Sequence, residues 1–168
     1  MAETEVGTAR EVLTWARFGT AIRELAESVA ESGFRPDVVL AVARGGLAVA
    51  GSLGYALSVK NCFAMNVEFY IGVGERRPVP VMLPPVLHPH ELAGMRVLVA
   101  DDVADTGHTL ELVRSVIARD VAEARTAVLY VKPWSVIEPE YAWRRTDRWI
   151  NFPWSSEPLL VGAAGIDA

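Results

Sequence analysis

The chain has 168 residues, 51 % of them hydrophobic and 22 % charged, with a formal net charge of −5 at pH 7 and one cysteine. These values suit a single domain over residues 1–168 with a sizeable core, and they exclude a disordered or disulfide-stapled chain. The acidic balance argues against a nucleic-acid partner, and no apolar run reaches the ~18 residues of a membrane span, so no membrane partner is expected.

Residues 1–13 show little pattern and read as a loosely held arm. The start is acidic and lacks the basic-then-apolar order of a secretory signal, so a cytoplasmic location is expected. Thr14 is a good N-cap, and a helix is expected from there to Ser32, closed by Gly33. Phe18, Ile22, Leu25, Ala26 and Val29 share one face, with Arg23, Glu24, Glu27 and Glu31 mostly opposite. Residues 38–43 are a continuous apolar run, the signature of a strand buried on both faces. Arg44-Gly45-Gly46 interrupts it, and residues 47–57 read as a helix. Residues 61–70 alternate well enough for the next strand, with Cys62 expected as a buried thiol in a reducing compartment.

Residues 71–94 differ in kind: Gly72, Gly74, Glu75-Arg76-Arg77 and five prolines leave no clear core pattern. A stretch of that length inside a compact domain points to a functional loop. A flexible, hairpin-like lid over about 71–90 is expected, with residues 79–83 as a strand. His88, His90 and Glu91 superficially suggest a metal cluster, but without a fourth ligand at a recognised spacing a loop role is the better reading.

Residues 97–110 form the most informative string: four apolar residues, then Asp101-Asp102-Val103-Ala104-Asp105-Thr106-Gly107-His108-Thr109-Leu110. It reads as a buried strand ending on adjacent carboxylates, a tight loop of small and hydroxyl residues, and a helix over about 107–119. N–H groups at a helix N-terminus can cradle a phosphate. The two acids would repel that phosphate unless sugar hydroxyls or a hard cation such as Mg²⁺ came between them. Beyond lie a buried strand at 127–131, Lys132-Pro133, and a tail rich in aromatics. Alternating strands and helices imply an α/β fold whose mostly parallel sheet binds ligands at the carboxyl ends of its strands.

The string resembles the phosphoribosyl pyrophosphate (PRPP) signature of type I phosphoribosyltransferases. Residues 131–133 and 149–154 are similar to the base-recognition segments of bacterial xanthine-guanine enzymes in that family. The resemblance implies the type I fold, with helices flanking the sheet, a lid, and a small C-terminal hood over about 133–168. It implies transfer of the 5-phosphoribosyl group from PRPP to a 6-oxopurine, releasing pyrophosphate, with Mg²⁺ as cofactor and a homo-oligomer, dimer or tetramer. Asp105, Thr106, Gly107, His108 and Thr109 would hold the 5′-phosphate. Asp101 and Asp102 would take the ribose and metal, and Ala43, Arg44, Gly45 and Gly46 the pyrophosphate. Here Ala43 replaces the family's common Ser.

By the same resemblance Lys132 would donate to the purine 6-oxo group, Trp149 would stack on the ring, and the Ile150 carbonyl would face C2. Asp105 would be catalytic, taking the proton the purine loses. Ser155 stands where those enzymes carry an acid, which leaves the choice among hypoxanthine, guanine and xanthine open. The alternatives are a PRPP-binding regulator, or a transferase for a pyrimidine or unusual base.

Overall fold

The computed structural model describes residues 10–70, 79–83 and 88–161. A short strand β1 (Glu11–Val12) leads into helix α1 (Trp15–Glu31), whose first turn is capped by Thr14 accepting from the Arg17 N–H at 3.2 Å. Then follow β2 (Val38–Ala43), α2 (Gly45–Ala56), β3 (Cys62–Tyr70) and β4 (Val79–Leu83). After a 3-10 turn (Pro89–Leu92) come β5 (Arg96–Ala104), α3 (His108–Ile117), β6 (Glu123–Val131), β7 (Tyr141–Arg145) and β8 (Ile150–Asn151).

Six strands form one sheet in the order β4-β3-β2-β5-β6-β7. Five are parallel, and β4 adds antiparallel to β3, which makes the expected hairpin. Alternation along the strands divides the core. Val39, Ala41, Leu98, Ala100, Ala127 and Leu129 face α1 and α2, while Val38, Leu40, Val42, Val97, Val99 and Val128 face α3. Both sheet faces are therefore covered, which is why β2 and residues 97–100 of β5 are apolar without a break.

The expected α1 face is buried: Phe18, Ile22, Leu25, Ala26 and Val29, joined by Ala21. Three expectations need correction. Residues 10–13 are held: the Glu11 and Leu13 N–H groups donate to the Trp149 and Asn151 carbonyls at 2.8 and 3.0 Å, pairing β1 parallel to β8. Leu13 is buried, and the Glu11 carboxylate lies 3.6 Å from both Arg17 and Arg144. The helix after β2 starts at Gly45, so both glycines belong to its first turn. Cys62 is exposed, because it opens β3 at the rim of the sheet, beyond the reach of the core. Arg76 and Arg77 of the expected lid lie outside the described residues.

At the opposite end of the sheet Asp37 ties β2 to β5. Its carboxylate accepts from the Arg96 N–H, Nε and Nη2 at 2.9, 3.1 and 2.8 Å. Those bonds hold its pKa at about 2, below the ordinary 3.8. The pair's contribution to stability is therefore complete above pH ~4 and is lost as pH falls through about 2. In an NMR titration Asp37 should show this low value, and Arg96→Gln should return it toward 3.8; an unmoved Asp37 would contradict the assignment.

Candidate active site

β2 and β5 are neighbours in the sheet and both end at the same rim, so the Arg44 loop and the Asp101-Asp102 pair meet there. The approach is close enough to dictate residue type. A Cβ on Gly45 would lie within 2.7 Å of both Asp102 carboxylate oxygens, and one on Gly46 only 3.2 Å from the Asp101 Cα. Arg44 is exposed beside them, Ala43 is half-buried, and the peptide between the two is cis. Glycine is required here because the helix rests directly on the acids.

Asp101 is buried, and its Oδ1 accepts from the Asp102 N–H at 2.8 Å. Burial, and then the neighbouring Asp102 charge, push its carboxyl well above the usual carboxylate range. Burial also raises Asp102. Two acids whose charged forms are disfavoured fit a cation or sugar hydroxyls, which would compensate them. Among the described residues no group of three or more His, Cys, Asp or Glu is placed to hold a metal ion. A Mg²⁺ on this pair would therefore draw its remaining ligands from substrate and water. His88 and His90 stack on each other, and Glu91 accepts from the His88 N–H at 3.3 Å, a local turn as expected.

The acid pair carries a measurable cost. Because the folded pKa of Asp101 is above its unfolded value, folding stability falls as pH rises between the two. Asp101→Asn removes this loss, and the Asn Oδ1 can still accept from the residue 102 N–H. We expect its melting temperature to exceed the wild type's by several degrees at pH 7–8, about 1–2 kcal/mol, with the gain shrinking toward pH 4. An equal or lower value at pH 7–8 would refute this.

The loop after β5 is fixed from two sides. Gly107 has φ +83° and caps α3 at its N-terminus, so the peptide N–H groups of the first turn are free to face the cavity beside it. A Cβ there would lie within 3.0 Å of Ile137, and the Val136 N–H donates to the Thr106 carbonyl at 2.8 Å. Asp101, Asp105, Thr106, Gly107 and Thr109 line a cavity of about 370 Å³. The His108 side chain is not on that wall; it points to Glu111, with Nδ1 3.5 Å from the carboxylate.

A second cavity, about 500 Å³, opens over the C-terminal segment. Asp105, Lys132, Trp149, Ile150, Ser155 and Arg10 are among its walls. Lys132 directly follows β6 and is buried, its Nζ donating to the Arg148 carbonyl and lying 5.5 Å from the centre of the Trp134 ring. Trp149 is 68 % exposed, a free aromatic face at the cavity edge. The carbonyls of Trp149 and Asn151 are turned to β1, so the alternation of a strand aims that of Ile150 the other way. Val103 and Asp105 line both cavities. The Asp105 carboxylate is held by the Trp134 indole N–H at 3.0 Å.

The structure thus brings the sequence-expected residues into two groups that meet at Asp105. Sequence reading missed Trp134 as the Asp105 clamp and Arg10 as a wall of the second cavity. Only the tail's aromatic richness hinted at the first, and nothing local signalled the second.

Residues 8–159 match the model of the phosphoribosyl transferase domain. The chain is 29 % identical to a xanthine-guanine phosphoribosyltransferase of Gluconobacter oxydans, covering 89 % of this chain and 86 % of that one. A xanthine-guanine phosphoribosyltransferase of Ruegeria sp. is 33 % identical, with 73 % of each chain covered. Among solved structures, a purine phosphoribosyltransferase from Pyrococcus horikoshii superposes with a TM-score of 0.80 at 38 % identity, covering 90 % of this chain and 98 % of that one. With the family model matching nearly the whole chain and a relative 33 % identical over 73 % of each sequence, this chain belongs to the phosphoribosyltransferase family of enzymes.

Proposed function

We propose that the protein transfers the 5-phosphoribosyl group of PRPP to a 6-oxopurine, yielding a nucleoside monophosphate and pyrophosphate in purine salvage. The single observation that carries this reading is the wall shared by the two cavities. A sugar phosphate in the loop cavity and a flat base between Lys132 and Trp149 would have their reacting atoms side by side at Asp105.

In this reading residues 1–168 act as one domain. Asp105, Thr106, Gly107, His108 and Thr109 bind the 5′-phosphate, the α3 N-terminus supplying backbone donors and positive dipole. His108 contributes its peptide N–H, because its side chain turns to Glu111. Asp101 and Asp102 take the ribose hydroxyls and hold Mg²⁺, which when bound neutralises charge on the departing pyrophosphate. Ala43, Arg44, Gly45 and Gly46 receive that pyrophosphate. Lys132 donates to the 6-oxo oxygen, Trp149 stacks on the ring, and the Ile150 carbonyl accepts from a ring N–H.

The bond from ribose C1 to the pyrophosphate oxygen breaks as a purine imidazole nitrogen bonds to C1. The proton on the purine's other imidazole nitrogen passes to the Asp105 carboxylate, which also faces the positive charge growing on the sugar.

The protein is a homo-oligomer in this reading, and the outer face of α2 supports it. The helix carries no charged residue, and Leu47 and Tyr55 are 49 % and 94 % exposed. Uncharged all round, such a helix is expected to be covered on both sides. Tyr55→Glu should convert a dimer or tetramer to a smaller species by light scattering; an unchanged mass would reject this face. No described helix is long and apolar enough to cross a membrane.

Incubation with PRPP, Mg²⁺ and a panel of free bases tests the acceptor. Nucleotide should form from hypoxanthine, guanine or xanthine. Product from uracil or orotate but from no purine would overturn the assignment.

A further inference from the structure

We propose that Trp134 is a positioning residue for the transfer: its indole N–H holds one oxygen of the Asp105 carboxylate and so aims the other at the base nitrogen that gives up its proton. The inference rests on the function proposed above and adds a residue to that same site. Trp134 lies in a segment strapped to the phosphate loop at every second residue. The Lys132 N–H donates to the Ala104 carbonyl at 3.0 Å, the Trp134 indole N–H to the Asp105 Oδ1 at 3.0 Å, and the Val136 N–H to the Thr106 carbonyl at 2.8 Å.

The first and last of these bonds join backbone to backbone, so the loop keeps its course without the indole. The middle one acts on a side chain. Asp105 borders both cavities, and an aspartate left to its own staggered rotamers can turn to either. With Oδ1 taken by Trp134, Oδ2 is the oxygen left for the base proton. A neutral donor suits this task, because it leaves the carboxylate its charge to face the cation-like sugar. The Lys132 ammonium walls the same cavity and would serve worse: paired with Asp105, it would cancel that charge and give up the 6-oxo group. Lys132 instead has as partners the Arg148 carbonyl and the face of the same indole ring. One indole thus engages both charged groups, the acid by its N–H and the ammonium by its face. The Trp134 side chain is more than half exposed, so replacing it opens no core.

The test measures kcat and KM for the 6-oxopurine turned over fastest, and PRPP affinity by calorimetry, in the wild type, Trp134→Phe and Trp134→Gln. Phenylalanine keeps a ring for Lys132 and loses the donor; the glutamine amide nitrogen lies as many bonds from Cα as the indole nitrogen and donates again. Trp134→Phe should lower kcat at least tenfold and leave the base KM and PRPP affinity within threefold, and Trp134→Gln should regain at least threefold of that loss. In single turnovers of Asp105→Asn, where no carboxylate remains to be aimed, adding Trp134→Phe should change the rate less than twofold. An unchanged kcat, a loss confined to KM or PRPP affinity, no recovery with glutamine, or an equal loss in both backgrounds would overturn the proposal while leaving the transferase reading intact. Turnover of no purine by the wild type would overturn that reading and this inference together.

Discussion

Asp105→Asn is expected to bind PRPP with an affinity within about threefold of the wild type's and to lose about 10²–10⁴-fold in kcat. The side chain keeps its size and one carbonyl oxygen, so the Trp134 indole still has an acceptor and the loop still has its shape. What it loses is the negative charge and the capacity to take a proton, at the one side chain, with Val103, that borders both cavities. Calorimetric titration with PRPP and single-turnover rates with a purine separate the two effects. Unchanged turnover would remove Asp105 from the chemistry. A matching loss of PRPP affinity would make it a phosphate-loop residue only.

Gly45→Ala should be nearly as damaging, although it adds a single methyl group. That carbon would lie within 2.7 Å of both Asp102 carboxylate oxygens, so the acid or the first turn of α2 must shift. Either movement displaces the groups proposed to hold metal and pyrophosphate. We expect a 10²-fold or greater fall in kcat/KM for PRPP, since small misplacements at a transfer site are costly. Gly19→Ala provides the control. Gly19 is exposed in the middle of α1 with nothing within 4 Å of its added Cβ, so alanine should raise stability by about 0.5–1 kcal/mol and leave activity alone. Full activity in Gly45→Ala would contradict the proposed role of this contact.

What could be read from the sequence was what local patterns encode. The apolar face of α1, the buried runs of β2 and β5, and the string from Asp101 to Thr109 each carry their signal within a dozen residues, and the structure has them as expected, except that β5 runs past the two acids to Ala104 before the loop begins. Pairings distant along the chain left no such trace. β1 is two residues long, with no amphipathic repeat, and its partner lies 139 residues away, so residues 10–13 read as a loose arm. For the same reason Arg10 was invisible as a cavity residue. Gly45 and Gly46 looked like a break between strand and helix because glycine disfavours helices. They are instead the start of α2, where the nearby acids leave no space for a Cβ. Cys62 was expected inside from the general habit of cysteine, but it is the first residue of β3, ahead of the stretch Asn66–Tyr70 that β4 pairs with, and is exposed.

In the proposed function, donor and acceptor meet at one site around Asp105. Pyrophosphate release from PRPP and Mg²⁺, followed with and without a 6-oxopurine, tests it most directly. Release that depends on the base, in equal amount to the nucleotide formed, is the predicted result. PRPP binding without release in the presence of any base would contradict it and leave the protein a PRPP-binding regulator.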